Sequence, residues 1–396
     1  GPLGNGGTFT INGGTIDYTG GSSSMNVANV NPITLGGDFA YGGTKPLLLP
    51  GAVTLTGNRT ITTNGSGTAL TLGVIGDGGN NYSLTKAGTG TLILGGGATI
   101  TQLAVTAGLL KMGSTVSLSS STVVTLSGSG SFDIYSNTPT IAGLQDGATI
   151  TSGSVYNSSN IRTLTLNVSG SNSYLYSGII GTGAGTLGIT KSGTGTQTLA
   201  GNNTYTGNTL VSSGTLIIDG SLAAGSTVSS LATLGGNGTV NGLTTLSAAG
   251  SIINPGTAGT VGNLALTGGL TASSGGAFNF DLSGGVTDRI SLGAGGLTAG
   301  GTWTFTLNNL GGMSAGTPYT LLSGTGTWSS SPTLAFNLLG GLVLDDGYNG
   351  TGYKWDNTSG ADSLTVQFSA IPEPTTWALL AFSLTTVMVL RRRRNS

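Results

Sequence analysis

The sequence predicts an all-β chain, a parallel β-helix or solenoid, closed by one short C-terminal transmembrane helix. Three observations carry that expectation: a body almost without charge, strand-period alternation from end to end, and a sequence that repeats itself. Charged residues make up 6% of the 396, and Gly alone supplies 75. A typical soluble domain carries roughly 25% charged residues. Exposed helices are built from Glu, Lys, Arg and Gln, which lose little rotamer freedom there. This chain has five Lys, seven Arg and one Glu, so its surface is written in Thr, Ser and Asn, and Thr suits a pleated, half-buried strand. Disorder combines low hydrophobicity with high net charge. Here 37% of residues are hydrophobic and the net charge is -1, enough apolar matter for a core.

Alternation runs through Val53/Leu55, Leu70/Leu72, Leu92/Leu94, Leu164/Leu166/Val168, Leu216/Ile218, Phe278/Phe280/Leu282, Trp303/Phe305/Leu307 and Leu364/Val366/Phe368. Each run is short and bounded by Gly, Asn or Asp, as strands with one buried face are. Turn pairs such as Asn12-Gly13, Asp77-Gly78 and Asn237-Gly238 separate them. The repetition is explicit. Leu84-Thr85-Lys86-Ala87-Gly88-Thr89-Gly90-Thr91 returns as Ile189-Thr190-Lys191-Ser192-Gly193-Thr194-Gly195-Thr196. The offset is 105 residues and carries Leu94 to Leu199 and Val105 to Leu210. The second copy then gains one residue before Gly214-Thr215-Leu216, the counterpart of Gly108-Leu109-Leu110. Short strands, Gly corners and internal repetition together point to stacked rungs. At roughly 20–25 residues per rung and about 4.8 Å between rungs, the chain would form on the order of fifteen rungs, a rod of about 70 Å.

Absences exclude whole classes of chemistry. The chain has no His and no Cys, so no Ser-His-Asp site, imidazole ligand, thiolate or disulfide is available, and no cofactor is expected. Four of the seven Arg sit at the extreme C-terminus, leaving residues 1–390 with eight basic and thirteen acidic groups. Such a body offers nucleic acid no phosphate-tracking surface. The Asp residues, Asp133, Asp146, Asp219, Asp281, Asp288 and Asp345-Asp346, sit beside turn residues and read as turn formers. Asp345-Asp346-Gly347 lacks the flanking pattern of a calcium loop. Lys86 and Lys191, at matched positions, read as structural, each with its ammonium in water and its stem on the rung. Tyr348, Tyr353 and Trp355 read as a cap on the end of the solenoid.

Residues 189–218, ITKSGTGTQTLAGNNTYTGNTLVSSGTLII, resemble the autotransporter-associated β-strand repeat, also called the passenger-associated transport repeat. Residues 84–110 resemble a degenerate copy in which Ala98-Thr99-Ile100 replaces the Asn-Thr-Tyr core. The resemblance implies a β-helical, secreted, passenger-like body over 1–370, here without the β-barrel translocator of a complete autotransporter. Residues 371–396 resemble the PEP-CTERM sorting tail, with Pro372-Glu373-Pro374, an uncharged run over 375–390, and Arg391, Arg392, Arg393 and Arg394. In that family the tail is recognised by an exosortase, a membrane-embedded processing enzyme. Sixteen residues span about 24 Å as a helix, short for a ~30 Å core but workable with flanking charge. The arginines would stay cytoplasmic and place the body outside. Pro372-Glu373-Pro374 breaks strand and helix alike, exposing an extended peptide above the membrane.

These features lead to the expectation of a non-enzymatic, exported surface or matrix protein, transiently anchored in the inner membrane. Its expected partners are an exosortase and exopolysaccharide or other cell-surface material. The rival expectation is a β-helical protein that binds or degrades polysaccharide. Two or more Asp beside a Lys or Arg on one outer face would favour that rival.

Overall fold

The computed structural model describes residues 6–369, apart from 21–24, 27–30, 66–67, 182, 224–227, 258, 330 and 358–361. The chain winds into a parallel solenoid with three faces, and no helix occurs among the described residues. The first three strands, Phe9–Ile11, Thr15–Ile16 and Met25–Asn26, each found one face, and every later turn lays a new strand beside its predecessor. In-register parallel pairs follow, such as Phe9↔Ile33 on the first face, Leu84↔Leu103 on the second and Leu92↔Leu110 on the third. A turn takes as few as 16 residues (Val228↔Thr244) and as many as 32 (Ile290↔Leu322). Seven strands and then eight stack along the second face, fifteen in all, giving a rod of about 70 Å.

The alternation read from the sequence sets the packing. Strand after strand shows one residue buried and the next half-buried or exposed, and the inward side chains form a single core from Ile11 to Phe368. Towards the C-terminal end the core turns aromatic. Phe278, Phe305 and Phe336 stack at 5.0 and 5.5 Å between ring centres on successive turns. Offset aromatic stacks add about 1 kcal/mol each beyond the area they bury.

The parallel winding ends in an antiparallel lid. Tyr353–Asp356 and Asp362–Gln367 pair with each other, and the latter covers Pro318–Gly324. Trp355 lies 4.9 Å from Trp328 and 5.9 Å edge-on to Trp303, closing the core. Tyr353 packs on Phe336 at 5.2 Å. The aromatic group therefore caps the solenoid, and the lid also blunts an edge that would otherwise template further strands.

The stack is interrupted once, near its middle. On the first face the ladder through Ala98 and Leu118 stops, and a new one starts at Thr140–Ile141, which pairs with Thr165 and Leu166. On the second face no backbone ladder joins Gly143–Ile150 to Ser173–Tyr176. The buried Gln197 bridges that gap. Its side chain accepts from the Leu144 amide at 3.2 Å and donates to the Leu144 and Tyr174 carbonyls at 2.8 and 3.2 Å. On the third face the ladder runs from Ser154–Tyr156 to Ile179–Ile180; there the Asn203 side chain takes the Ile180 amide and Thr204 N donates to the Ile180 carbonyl, before Asn202 pairs with Ser221.

Candidate functional site

The two repeated segments build the same corner. In Leu84-Thr85-Lys86 and Ile189-Thr190-Lys191 the period of two points both lysines inward. Both are fully buried, contrary to the expectation that their ammonium groups sit in water. Lys86 Nζ donates to the carbonyls of Ala87, Gly88 and Ala107 at 2.9, 2.7 and 2.9 Å. Lys191 Nζ donates to those of Ser192, Gly193 and Ser213 at 2.8, 2.9 and 3.2 Å. An ammonium has three donors and no acceptor, so it matches three converging carbonyls that no second strand can pair. Each lysine thereby ties its own corner to the corner one turn further on. Burial pushes both ammonium groups down to about 8. The following glycines are required: Gly108 and Gly214 have φ of +65° and +68°, and a Cβ on either would strike the carbonyl oxygens of the preceding corner.

The Asn-Thr-Tyr core of the second segment also turns inward. Asn203 Oδ1 accepts from the Ile180 amide at 2.9 Å, and its Nδ2 donates to the Gly201 carbonyl at 2.9 Å. Tyr205 is buried, with its hydroxyl 2.7 Å from that of Thr209. Pairing shows where the extra residue of this segment lies. Val105 stands opposite Lys86 and Val211 opposite Lys191, so Val105 corresponds to Val211, not Leu210. The insertion therefore falls between Tyr205 and Thr209, and Thr209 takes the inward place that Leu103 holds in the first copy.

The aspartates were expected to close local turns. Most reach instead to the neighbouring rung. Asp38 accepts from Thr60 N, Asp146 from Ser177 N, Asp219 from Asn237 N and Asp281 from Gly259 N, at 2.7–3.1 Å. Asp133 does both, taking the Tyr135 amide at 2.8 Å and the Ser158 amide and hydroxyl at 3.1 and 2.6 Å. Lys111 adds an ion pair to it at 3.6 Å. Asp288 is fully buried, accepts from the Gly262 and Asp281 amides at 2.6 and 2.7 Å, and is pushed up to about 7 by burial. Asp281 stands beside Asp288 near Arg289, a grouping of the kind the enzymatic alternative asks for, but its carboxylate is taken up by Gly259 N and by Asn308 Nδ2 at 2.8 Å. Asp345 bonds the Gly347 amide at 3.1 Å and Gln367 Nε2 at 2.9 Å. No cluster of three or more carboxylates able to hold a metal occurs among the described residues.

Pro372, Glu373, Pro374, the expected helix over 375–390 and Arg391–Arg394 lie outside the described residues. Among the described residues no helix is long and apolar enough to cross a membrane. Sequence reasoning missed Gln197 and the lysine corners; the signal was present, since alternation placed all three inward.

Comparison with known proteins bears on those corners. Residues 84–111 and 189–218 both match the passenger-associated-transport-repeat. The chain is a parallel β-solenoid carrying two segments that match this repeat. Each repeat supplies a buried lysine, the corner glycines and four strands of the stack. No curated protein matches the chain.

Proposed function

We propose that this is an exported cell-surface or extracellular-matrix protein of structural or adhesin-like role, sorted by an exosortase through Pro372-Glu373-Pro374. The observation that carries this reading is the pair of passenger-associated repeats set in one parallel solenoid with a single core. A stacked solenoid gives a long, stiff body whose length scales with rung number, which suits spanning and spacing at a surface. Its outward residues are mostly Thr, Ser, Asn and Gly, with few charges, so it presents a nearly neutral hydroxyl surface fit for many weak contacts. The acidic groups are engaged in holding rungs together, which supports a scaffold over a hydrolase.

The direct test is the mass of the C-terminal peptide after expression beside an exosortase, with the intact chain expressed alone as reference. Loss of everything beyond Pro372–Pro374 is the expected result, together with release of the body by protease treatment of whole cells. A tail retaining Arg391–Arg394 in both hosts would reduce the motif to a plain anchor.

A further inference from the structure

The interruption of the first face leaves a cleft of about 580 Å³, lined by residues 115–118 and 136–140 and by Arg162. That size lies within the range of small-ligand sites. We propose that this cleft binds a short segment of a carboxylate-bearing saccharide, with the Arg162 guanidinium on the carboxylate. The proposal deepens the surface-protein reading, which it needs only to say where such a polymer would be met.

Three observations meet at the cleft. The first is its chemistry. The Thr115, Ser117, Ser136, Thr138 and Thr140 side chains supply hydroxyls, and Arg162 is the only charged group lining it. Hydroxyls that both donate and accept match a polyhydroxylated ligand, and an isolated guanidinium matches one carboxylate in a fork. No carboxylate lines the cleft, so it holds neither the acid–base pair of a glycosidase nor a cation.

The second observation is that the guanidinium is fixed but not used up. Arg162 Nε donates to the Ser136 carbonyl at 2.6 Å and Nη1 to its neighbour Ile161 at 2.9 Å. Two of five N–H donors are thus spent on orientation, and three remain for a ligand. The floor is fixed too. The buried Asn137 accepts from the Val116 amide at 2.7 Å and donates to the Gly113 and Ile134 carbonyls at 2.7 and 3.0 Å. On the other edge, Ala98 pairs with Ser117 and Ser119, which turns the Leu118 amide and carbonyl away from it. No protein hydrogen bond among the described residues reaches that amide or carbonyl.

The third observation is strain. Among the described residues five non-glycine residues have positive φ: Thr115, at +60°, lines the cleft, and Tyr135 at +49° and Asn160 at +57° stand one and two positions from its lining residues Ser136 and Arg162. A β-branched residue in that region is a genuine outlier, and outliers of this kind concentrate where a ligand is received. The next strand on this face, Thr140–Ile141, forms no ladder with Leu118, and the two stay apart across the cleft.

Calorimetric titration of the purified chain with a tri-uronate, a neutral trisaccharide and a sulfated trisaccharide tests the proposal. The tri-uronate is expected to bind with a Kd of about 1 mM or tighter, and at least about tenfold better than the neutral sugar. Arg162→Gln should remove that preference. Ser117→Trp, at an exposed position, should block the cleft without disturbing the core, as an unchanged urea midpoint would confirm; it carries the test if Arg162→Gln does not fold. Equal binding of charged and neutral sugars, no binding at all, or binding that survives Ser117→Trp would overturn the proposal. Preference for the sulfated sugar over the uronate would overturn the carboxylate assignment. Failure here leaves C-terminal processing unaffected, because the two are measured on different parts of the chain.

Discussion

The two repeats, 84–111 and 189–218, have the same corner but neither the same core nor the same orientation. Lys86 lies on the second face of the solenoid and Lys191 on the first, so the copies are turned by one face relative to each other. In the first copy the Ile75 amide donates to the backbone carbonyl of Gly97 at 2.8 Å. In the second the equivalent Ile180 amide is met at 2.9 Å by the side-chain carbonyl of Asn203. Ile100 fills the first core, whereas Tyr205 and Thr209 share a hydrogen bond in the second. The conserved physics is therefore the ammonium on three carbonyls, which works on any face because each corner sees only its neighbour. The variable physics is how one inward amide finds its acceptor.

The most severe way to break the likeness is to fill the corners. Gly214→Val would place a β-branched residue at φ +68°, with its Cβ against the Gly193 and Gly195 carbonyls and 2.8 Å from Lys191 Nζ. Gly108→Val faces the Gly88 and Gly90 carbonyls in the same way. Strain, overlap and a displaced lysine together should cost more than about 4 kcal/mol in either copy. Urea unfolding followed by circular dichroism would show the loss; a variant within about 1 kcal/mol of the parent would mean the corner is looser than its geometry.

Next in size are the lysines themselves. Lys86→Met and Lys191→Met keep the stem but leave three carbonyls without a donor. Each should destabilise by about 2–3 kcal/mol. Equal losses would sharpen the claim that the corner is independent of face. A loss in only one copy would show that the neighbouring core sets its strength.

Asn203→Ala should have a smaller effect, about 1–2 kcal/mol, because it strands the buried Ile180 amide. Hydrogen exchange at Ile180 is the sensitive readout, since the amide at Ile75 has a backbone acceptor and should be unchanged by that substitution. Unaltered exchange at Ile180 would mean that another group takes over the amide.

Much of this was legible beforehand. Alternation gave the inward apolar residues, and Lys86 stands in line with Leu84, two positions away on one strand, although both lysine ammonium groups were expected in water. The dense aromatic group that includes Tyr353 and Trp355 was expected as a cap, and both residues close the end. What was not legible has physical reasons. That Lys86 and Lys191 sit on different faces depends on how many strands lie between the copies, and rungs of 16 to 32 residues give no fixed count. The ammonium groups were misplaced because a buried charge is costly unless its partners are known, and here the partners are backbone carbonyls that leave no trace in side-chain identity. The cleft and the Gln197 bridge escaped notice because Arg162 and Gln197 are single residues whose roles exist only through rungs 23 to 53 positions away.

The buried Asp288 gives the comparison its opposite sign: an anion held by two amides, where each lysine is a cation held by three carbonyls. Burial pushes the lysines down to about 8 and Asp288 up to about 7. For Asp288 the folded form binds its proton more tightly than the unfolded one. Its contribution to stability is thus full below about pH 4 and is lost as pH rises through 7. For the lysines the folded form binds the proton less tightly, so their contribution grows as pH rises from about 8 to 10.5. Urea midpoints of the parent and Asp288→Asn, compared across pH 4–7, isolate the carboxyl, whose share should be roughly 4 kcal/mol at most. Only the parent should lose stability over that window. Parallel profiles would mean that the amides of Gly262 and Asp281 outweigh burial and keep Asp288 ionised throughout.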